Sequence, residues 1–128
     1  MKIYVFGNPD LDMDSMPIRL LPELKNIFPN IEFIHLDPNE EIDFPENLII
    51  LDTTLGIEKV EIIEDLSLIK KSPAITMHDF DLGSLLLFLL KTGKISNVKI
   101  IGIPQGLNQS ETLNQLKPIF SNLLLEND

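Results

Sequence analysis

Apolar residues occur along the chain in short runs that are separated by polar turns and by stretches with helical spacing. Short continuous apolar runs are typical of parallel strands covered on both faces, and apolar residues three or four positions apart are typical of amphipathic helices. The pattern predicts five strands, at 2–6, 31–36, 48–51, 60–63 and 98–103. Helices are predicted to follow Asp14 or Ser15, to run from about 82 to 91, and to follow Ser110. Strands that alternate with helices predict an α/β fold, a three-layer sandwich with a mostly parallel twisted sheet flanked by helices.

Four local features refine this prediction. Pro17 is compatible with the first turn of the first helix, whereas Pro22 is expected to kink that helix or delay its start. Pro118 is expected to bend the last helix. The strand at 60–63 has charged neighbours, so we expect it near an edge of the sheet.

Composition narrows the class of protein. With 128 residues, of which 44% are hydrophobic, the chain is long enough to bury about two thirds of its unfolded surface, and we expect one domain spanning 1–128. The net charge of −10 argues against nucleic acid or an anionic membrane as a partner, because phosphate binding depends on Lys and Arg. The absence of cysteine excludes disulfides, thiolate zinc sites and a cysteine nucleophile, which suits a cytoplasmic protein.

Neither a leader nor a membrane span is predicted. The opening residues MKIYVFGNPD reach a glycine and an aspartate too early for a signal peptide. The longest apolar run, LLLFLL at 85–90, is far shorter than the ~20 residues that cross a bilayer.

Polar side chains follow several of the predicted strands. Ligands of open parallel sheets bind beyond the carboxyl ends of the strands. Asp14 lies in the turn after the first strand, Asp52 directly follows LIIL, and His78 precedes the second predicted helix. Two carboxylates and an imidazole on separate loops predict an open divalent-metal site, with ligands better suited to Ni, Zn, Mn or Fe than to Mg or Ca.

Each of these residues also has a structural interpretation. Asp14 at a helix start can be a simple N-cap, and Asp52 at a strand end can accept backbone hydrogen bonds. His78 alone is more typical of a structural or surface histidine than of a ligand, and His35, inside a strand, is predicted to be structural. The joint placement of Asp14, Asp52 and His78 favours a metal site more than any one of them does alone.

The sequence supports neither a serine nucleophile nor a dinucleotide-binding site. Ser15 and Ser84 lie in no G-x-S-x-G motif. Gly7 is the only glycine in its turn, so the dinucleotide-binding fingerprint G-x-G-x-x-G is absent.

The ordered motifs resemble those of the hydrogenase maturation proteases, endopeptidases that trim the C-terminal extension from nickel-loaded large subunits of [NiFe] hydrogenases. The resemblance covers nearly the whole chain, which is more specific than any single motif. The matching features are, in chain order, the strand ending in Gly7-Asn8, then Asp14 and Arg19, LIILD ending at Asp52, His78 before a helix closing in KTG, and Gly102-Ile103-Pro104.

This resemblance implies an α/β sandwich in which Asp14, Asp52 and His78 contact metal, and in which Asp14 and Asp52 are the candidate catalytic residues. The metal that the resemblance implies is the nickel already bound in the precursor, and this nickel acts as the recognition signal. A further expectation is that Ni or Zn is bound at the site itself. The implied partner is the large-subunit precursor. Two mechanisms of peptide-bond hydrolysis remain open. A metal can polarise the peptide carbonyl, or a carboxylate such as Asp14 can activate water.

The sequence departs from the family pattern at several places, among them Gln105, where the family often has Glu after the late proline. Asp14 stands where the family usually has Glu, Pro17 replaces a glycine, and Pro38-Asn39 replaces a Gly-Gly pair. Asp14 and the Pro38-Asn39 loop motivate an alternative, a non-catalytic relative that binds metal or the large-subunit tail without cutting it.

A second alternative is a receiver-like signalling module. Asp10 or Asp12 with Asp52 would then form a magnesium and phosphoacceptor pocket. The lysine that receivers place at the end of the late strand is missing, since Gly102 and Ile103 occupy that stretch and Lys99 lies within the strand.

Overall fold

The computed structural model describes residues 1–7, 10, 15–36, 43–64 and 82–126, with the side chains of 82 and 83 excepted. The strands in these ranges are β1 (Lys2–Val5), β2 (Glu32–His35), β3 (Asn47–Thr54), β4 (Glu61–Ile63) and β5 (Asn97–Pro104). The helices are α1 (Met16–Ile27), α2 (Leu82–Lys91) and α3 (Gln109–Glu126).

The strands form one sheet in the order β2-β1-β3-β5-β4, in which every neighbouring pair is parallel except β5 and β4. The long central strands β3 and β5 pair over eight residues, from Asn47 opposite Asn97 to Thr54 opposite Pro104. The three-residue β4 lies at the edge, as its charged neighbours predicted. The predicted α/β fold with a mostly parallel sheet is confirmed.

Helices cover both faces of this sheet and divide the core into two parts. On one face, α1 and α3 pack against apolar side chains of β1, β3 and β5. Phe120 of α3 is fully buried there, and its ring lies edge-on to Phe28 and Phe33 at centroid distances of 5.4 and 5.6 Å. On the other face, Leu86 and Leu89 of α2 pack against a second apolar cluster. The result is the predicted three-layer arrangement.

The central strands are longer than the apolar runs that predicted them. β3 continues beyond Leu51 through Asp52, Thr53 and Thr54, because these residues pair with the end of β5. Pairing between strands far apart in sequence, and not local hydrophobicity, therefore sets where β3 ends.

α1 begins directly after Ser15, as predicted, whereas the start and the cap of α3 differ from the prediction. Ser110 was predicted to cap the last helix, but α3 begins at Gln109, and Asn108 is the cap, because its Oδ1 accepts a hydrogen bond from the Glu111 amide at 2.8 Å. Ser15 occupies the N-cap position of α1 but makes no side-chain cap hydrogen bond.

The two internal prolines do not stop their helices. α1 begins before Pro17 and continues through Pro22, so its start is not delayed. Pro118 likewise lies inside α3. Both Pro22 and Pro118 are exposed, so each ring faces solvent and the packed side of the helix stays continuous.

None of the helices in the described ranges combines the length and the apolar character that a membrane crossing requires.

Candidate functional site

The strand order reverses between β1 and β3. The chain passes from β1 through α1 to β2 on one side, and then returns to place β3 on the other side of β1. In open α/β sheets the ligand crevice is expected at such a reversal, beyond the carboxyl ends of the two strands. Hydrogen bonding holds the ends in register, since the Phe6 amide donates to the Leu51 carbonyl at 2.9 Å.

Asp52 lies beside this crevice. It was predicted to follow its strand directly, but it lies within β3, opposite Gly102 of β5. Its side chain has no exposed surface, and the alternation of a strand places it on the same face as Ile50, the face that α2 covers. Asp52 also interacts with a neighbouring group. A fully buried aspartate is rare and needs compensation for its lost hydration.

Gly102 makes room for a neighbour of Asp52. A Cβ at position 102 would lie 2.5 Å from Thr54 Oγ1 and 3.0 Å from Thr54 Cβ, with Ile57 Cδ1 at 3.3 Å. The glycine of the Gly102-Ile103-Pro104 motif therefore has a steric role, namely to let the Thr54 side chain lie over β5. In the sequence, only the motif marks this glycine.

Two threonines at the end of β3 were not predicted to matter. Thr53 and Thr54 are each 2% exposed, and within the described residues neither Oγ1 has a hydrogen-bond partner. Because successive residues of a strand point to opposite faces, Thr54 shares the face of Asp52 and Thr53 lies on the face that α1 and α3 cover. The signal in the sequence was the pair of polar residues after an otherwise apolar run.

The predicted three-residue site is only partly within the described ranges. Asp52 is described, whereas Asp14 and His78 lie outside these ranges, so the structure does not test whether the three residues converge. The described residues by themselves contain no group of three or more His, Asp or Glu side chains placed to hold a metal ion.

His35 ends β2 near the first strand. Its Nε2 lies 3.4 Å from the carbonyl oxygen of Gly7, within reach of a long hydrogen bond if this nitrogen carries the proton. The contact links β2 to the residue after β1 and agrees with the predicted structural role of His35.

The ionisation of Tyr4 is perturbed. Burial raises the pKa of its hydroxyl, and the negative charge of Glu32 adds to the effect. The ring packs edge-on against Phe44 at a centroid distance of 5.6 Å. Tyr4 therefore stays neutral at physiological pH and adds no charge to this face of the sheet.

The fold and the position of Asp52 define an open α/β sandwich of the doubly wound kind, with a buried carboxylate beside the crevice where its ligand would bind. Solved structures of hydrogenase maturation proteases have the same fold. The hydrogenase 3 maturation protease is 21% identical, with a TM-score of 0.65 over 94% of this chain and 87% of that one. The [NiFe] hydrogenase maturation protease HycI from Thermococcus kodakarensis KOD1 is 16% identical, with a TM-score of 0.61 over 96% of this chain and 92% of that one.

An uncharacterized protein from Wolinella succinogenes also has this fold, with 15% identity and a TM-score of 0.54 over 98% of this chain and 96% of that one. No protein-family model matches the sequence, and no curated protein does. At identities of 15 to 21% the likeness to these structures establishes the fold. The resemblance drawn from the sequence motifs is therefore confirmed for the fold.

Proposed function

We propose that this protein is an endopeptidase that removes the C-terminal extension from the nickel-loaded precursor of a [NiFe] hydrogenase large subunit in the cytoplasm. The observation that carries the proposal is the fully buried Asp52, which lies beside the crevice between β1 and β3. The fold that it shares with two hydrogenase maturation proteases over more than nine tenths of its length supports the same conclusion.

In this proposal the nickel belongs to the substrate. Asp52, with Asp14 and His78, would bind the ion that the precursor presents at the crevice. A buried carboxylate has lost much of its hydration, so a cation brought to it interacts more strongly than it would in water. Recognition of nickel would restrict cleavage to precursors that already contain the metal.

The chemistry is amide hydrolysis. Water adds to the carbonyl carbon of the scissile bond, a carboxylate receives the proton of the water, and the proton passes to the departing amine as the C–N bond breaks. Asp14 and Asp52 are the candidates for the carboxylate. The substrate metal can also polarise the carbonyl oxygen of the scissile bond. This effect is compatible with activation of water by a carboxylate.

The decisive experiment mixes the purified protein with a nickel-loaded large-subunit precursor from the same organism. Mass spectrometry would identify the shortened subunit and the released peptide. We expect complete processing at a protein-to-precursor ratio well below one, and no processing of nickel-free precursor. Asp52→Asn, Asp14→Asn and His78→Ala should each abolish processing.

Asp43→Asn is the matched control, because it makes the same change at an exposed aspartate that precedes the amino end of β3. Processing by Asp52→Asn at the wild-type rate would refute the proposal. Tight binding of the precursor without cleavage at any ratio would instead identify a non-catalytic relative.

A resident metal is a separate question. Carboxylate and imidazole ligands suit Ni or Zn, so we propose titrating the metal-free protein with Ni, Zn and Mg and comparing it with His78→Ala. Binding of Ni or Zn that is lost in His78→Ala would support a bound metal. Magnesium binding that His78→Ala leaves unchanged would argue against this ligand set.

The position of Lys99 does not suit the receiver-like alternative. Lys99 lies opposite Ile49 in the first half of β5, three residues and about 10 Å before the level of Asp52. Its Nζ lies 3.6 Å from Glu64 Oε1 and 3.7 Å from Glu126 Oε2. Among the described residues, the lysine of the late strand therefore points to carboxylates at the other end of the sheet.

A further inference from the structure

A cavity lies at the carboxyl ends of β3 and β5, on the opposite face of the sheet from Asp52. It has a volume of about 380 Å³, is open to solvent, and is bounded by α1, the end of β3, and the loop from β5 to α3. Cavities that bind small ligands usually have ~300 to 1,000 Å³. We call it the α1–α3 cavity, and its lining includes Met16, Arg19, Thr53, Gly106, Leu107 and Gln109.

Thr53 contributes an unsatisfied hydroxyl to this cavity. Its side chain is 2% exposed, and its Oγ1 has no hydrogen-bond partner within the described residues. A buried hydroxyl without a partner is destabilising. Since Thr53 lines the cavity, a ligand in the α1–α3 cavity can supply the missing hydrogen bond.

The remaining polar features of the cavity favour an anion. Two helices start at its wall, α1 at Met16 and α3 at Gln109, and the N-terminus of a helix carries a partial positive charge. Arg19 adds a full positive charge, and it forms no ion pair within the described residues.

Among the described residues, two acidic groups near the cavity accept hydrogen bonds from glutamine side chains. Glu23, one turn after Arg19, accepts a hydrogen bond from Gln109 Nε2 at 2.9 Å, which joins α1 to α3 beside the cavity. Glu111 accepts one from Gln115 Nε2 at 3.1 Å. The side chain of Asn108 caps α3 and does not offer a competing acceptor to a ligand.

The apolar part of the lining, Met16 and Leu107, selects among anions. A bare inorganic ion would leave these side chains uncovered and most of the volume filled with water. We infer that the α1–α3 cavity binds a carboxylate attached to a small apolar group, with Arg19 and the Thr53 hydroxyl as its donors. Such a carboxylate can come from the C-terminal residue of a peptide or from a free carboxylic acid. The inference does not depend on the proposed proteolytic activity.

The test is an NMR titration of the full chain with N-acetyl-leucine, with N-acetyl-leucinamide as the uncharged control. We expect saturable binding of the acid at about millimolar concentration, as for a fragment-sized ligand. The shifts should cluster at the amides of Thr53, Gly106 and Gln109. Equal binding of the amide, or shifts scattered over the surface, would overturn the inference.

The variants separate a ligand-binding role from a structural one. Arg19→Gln and Thr53→Val should each weaken binding of the acid about tenfold or more, because each loses a hydrogen bond to a charged group. Thr53→Val should nevertheless unfold at the same or a higher urea concentration, since it removes a buried hydroxyl without a partner. Thr54→Val is the matched control, with an equally buried hydroxyl on the opposite face, and it should bind the acid like the wild type. Equal weakening in Thr53→Val and Thr54→Val would overturn the inference.

Two further probes distinguish the source of the carboxylate. Ala-Ala-Ala-Leu with a free C-terminus should bind at least as tightly as N-acetyl-leucine if the cavity receives a peptide end. Binding of N-acetyl-leucine but not of the tetrapeptide would identify a free carboxylic acid as the ligand. If inorganic phosphate binds as tightly as N-acetyl-leucine at the same amides, Met16 and Leu107 do not select the ligand. That result would overturn the inference.

Discussion

Replacing Gly102 with alanine tests the packing between β5 and the end of β3. The φ angle of Gly102 is not positive, so its backbone accepts an alanine and the cost is steric. The new Cβ would lie 2.5 Å from Thr54 Oγ1 and 3.0 Å from Thr54 Cβ. Thr54 is β-branched and buried, so its side chain has few other rotamers into which it can turn.

The expected cost follows from these contacts. Overpacking a dense core usually costs ~1 to 3 kcal/mol, and the reduced entropy of the unfolded chain offsets about 0.4 to 1 kcal/mol of this. We therefore expect Gly102→Ala to lower the free energy of unfolding by about 1 to 2 kcal/mol. For 128 residues the entropy of unfolding near the midpoint is about 0.27 kcal/mol per kelvin, so Tm should fall by about 4 to 7 °C.

Urea unfolding of a double-mutant cycle would check the cause. In the background of Thr54→Ala the Oγ1 atom is gone, so Gly102→Ala should cost less there by about 1 kcal/mol or more. A loss of less than about 0.5 kcal/mol in the wild-type background, within the range of ordinary surface substitutions, would refute the steric argument. So would an equal cost in both backgrounds.

Three further outcomes are expected. Asn108→Ala should lower the free energy of unfolding by about 1 kcal/mol, because the Glu111 amide loses its cap. Ser110→Ala, the control, should change it by less than about 0.5 kcal/mol in the same urea titration, and the reverse order would contradict the assignment of the cap. Phe120→Ala should cost about 3 to 5 kcal/mol, since its ring is fully buried between α3 and the sheet, whereas Phe88→Ala, at a side chain 57% exposed, should have little effect on thermal unfolding. Tyr4 is the only tyrosine, so absorbance at 295 nm should show its pKa above the usual 10.0. Because that pKa is raised in the folded state, stability present at neutral pH should fall as the pH rises above about 10, and Tyr4→Phe should show a smaller fall.

Much of the fold was predictable because its signals are local. The apolar runs at the positions of β1, β2 and β5 and the helical spacing in α1 and α2 depend only on neighbouring residues. The placement of Asp52 at the carboxyl end of a central strand followed from the same patterns. Asp14 and His78 were proposed with it, and their role as ligands stays a prediction, since both lie outside the described residues.

Features that depend on distant partners were missed. The extension of β3 to Thr54 comes from its pairing with Pro104, fifty positions further along the chain. Asn108, and not Ser110, caps α3 because the turn from β5 sets where the helix begins. Helix propensity cannot distinguish between two good N-cap residues two positions apart.

By itself, then, the sequence determined the order and type of the elements and the layered α/β architecture. It also determined that one carboxylate lies at the carboxyl ends of the strands, where ligands bind. The tertiary structure decided the antiparallel edge strand, the contact between Gly102 and Thr54, and the α1–α3 cavity. The physical reason is that hydrophobic periodicity is read along the chain, whereas registers, close contacts and cavities arise only when separate segments meet. Thr53 and Asp52 are neighbours in sequence, yet the pleat of β3 turns them toward opposite faces of the sheet and into two different sites.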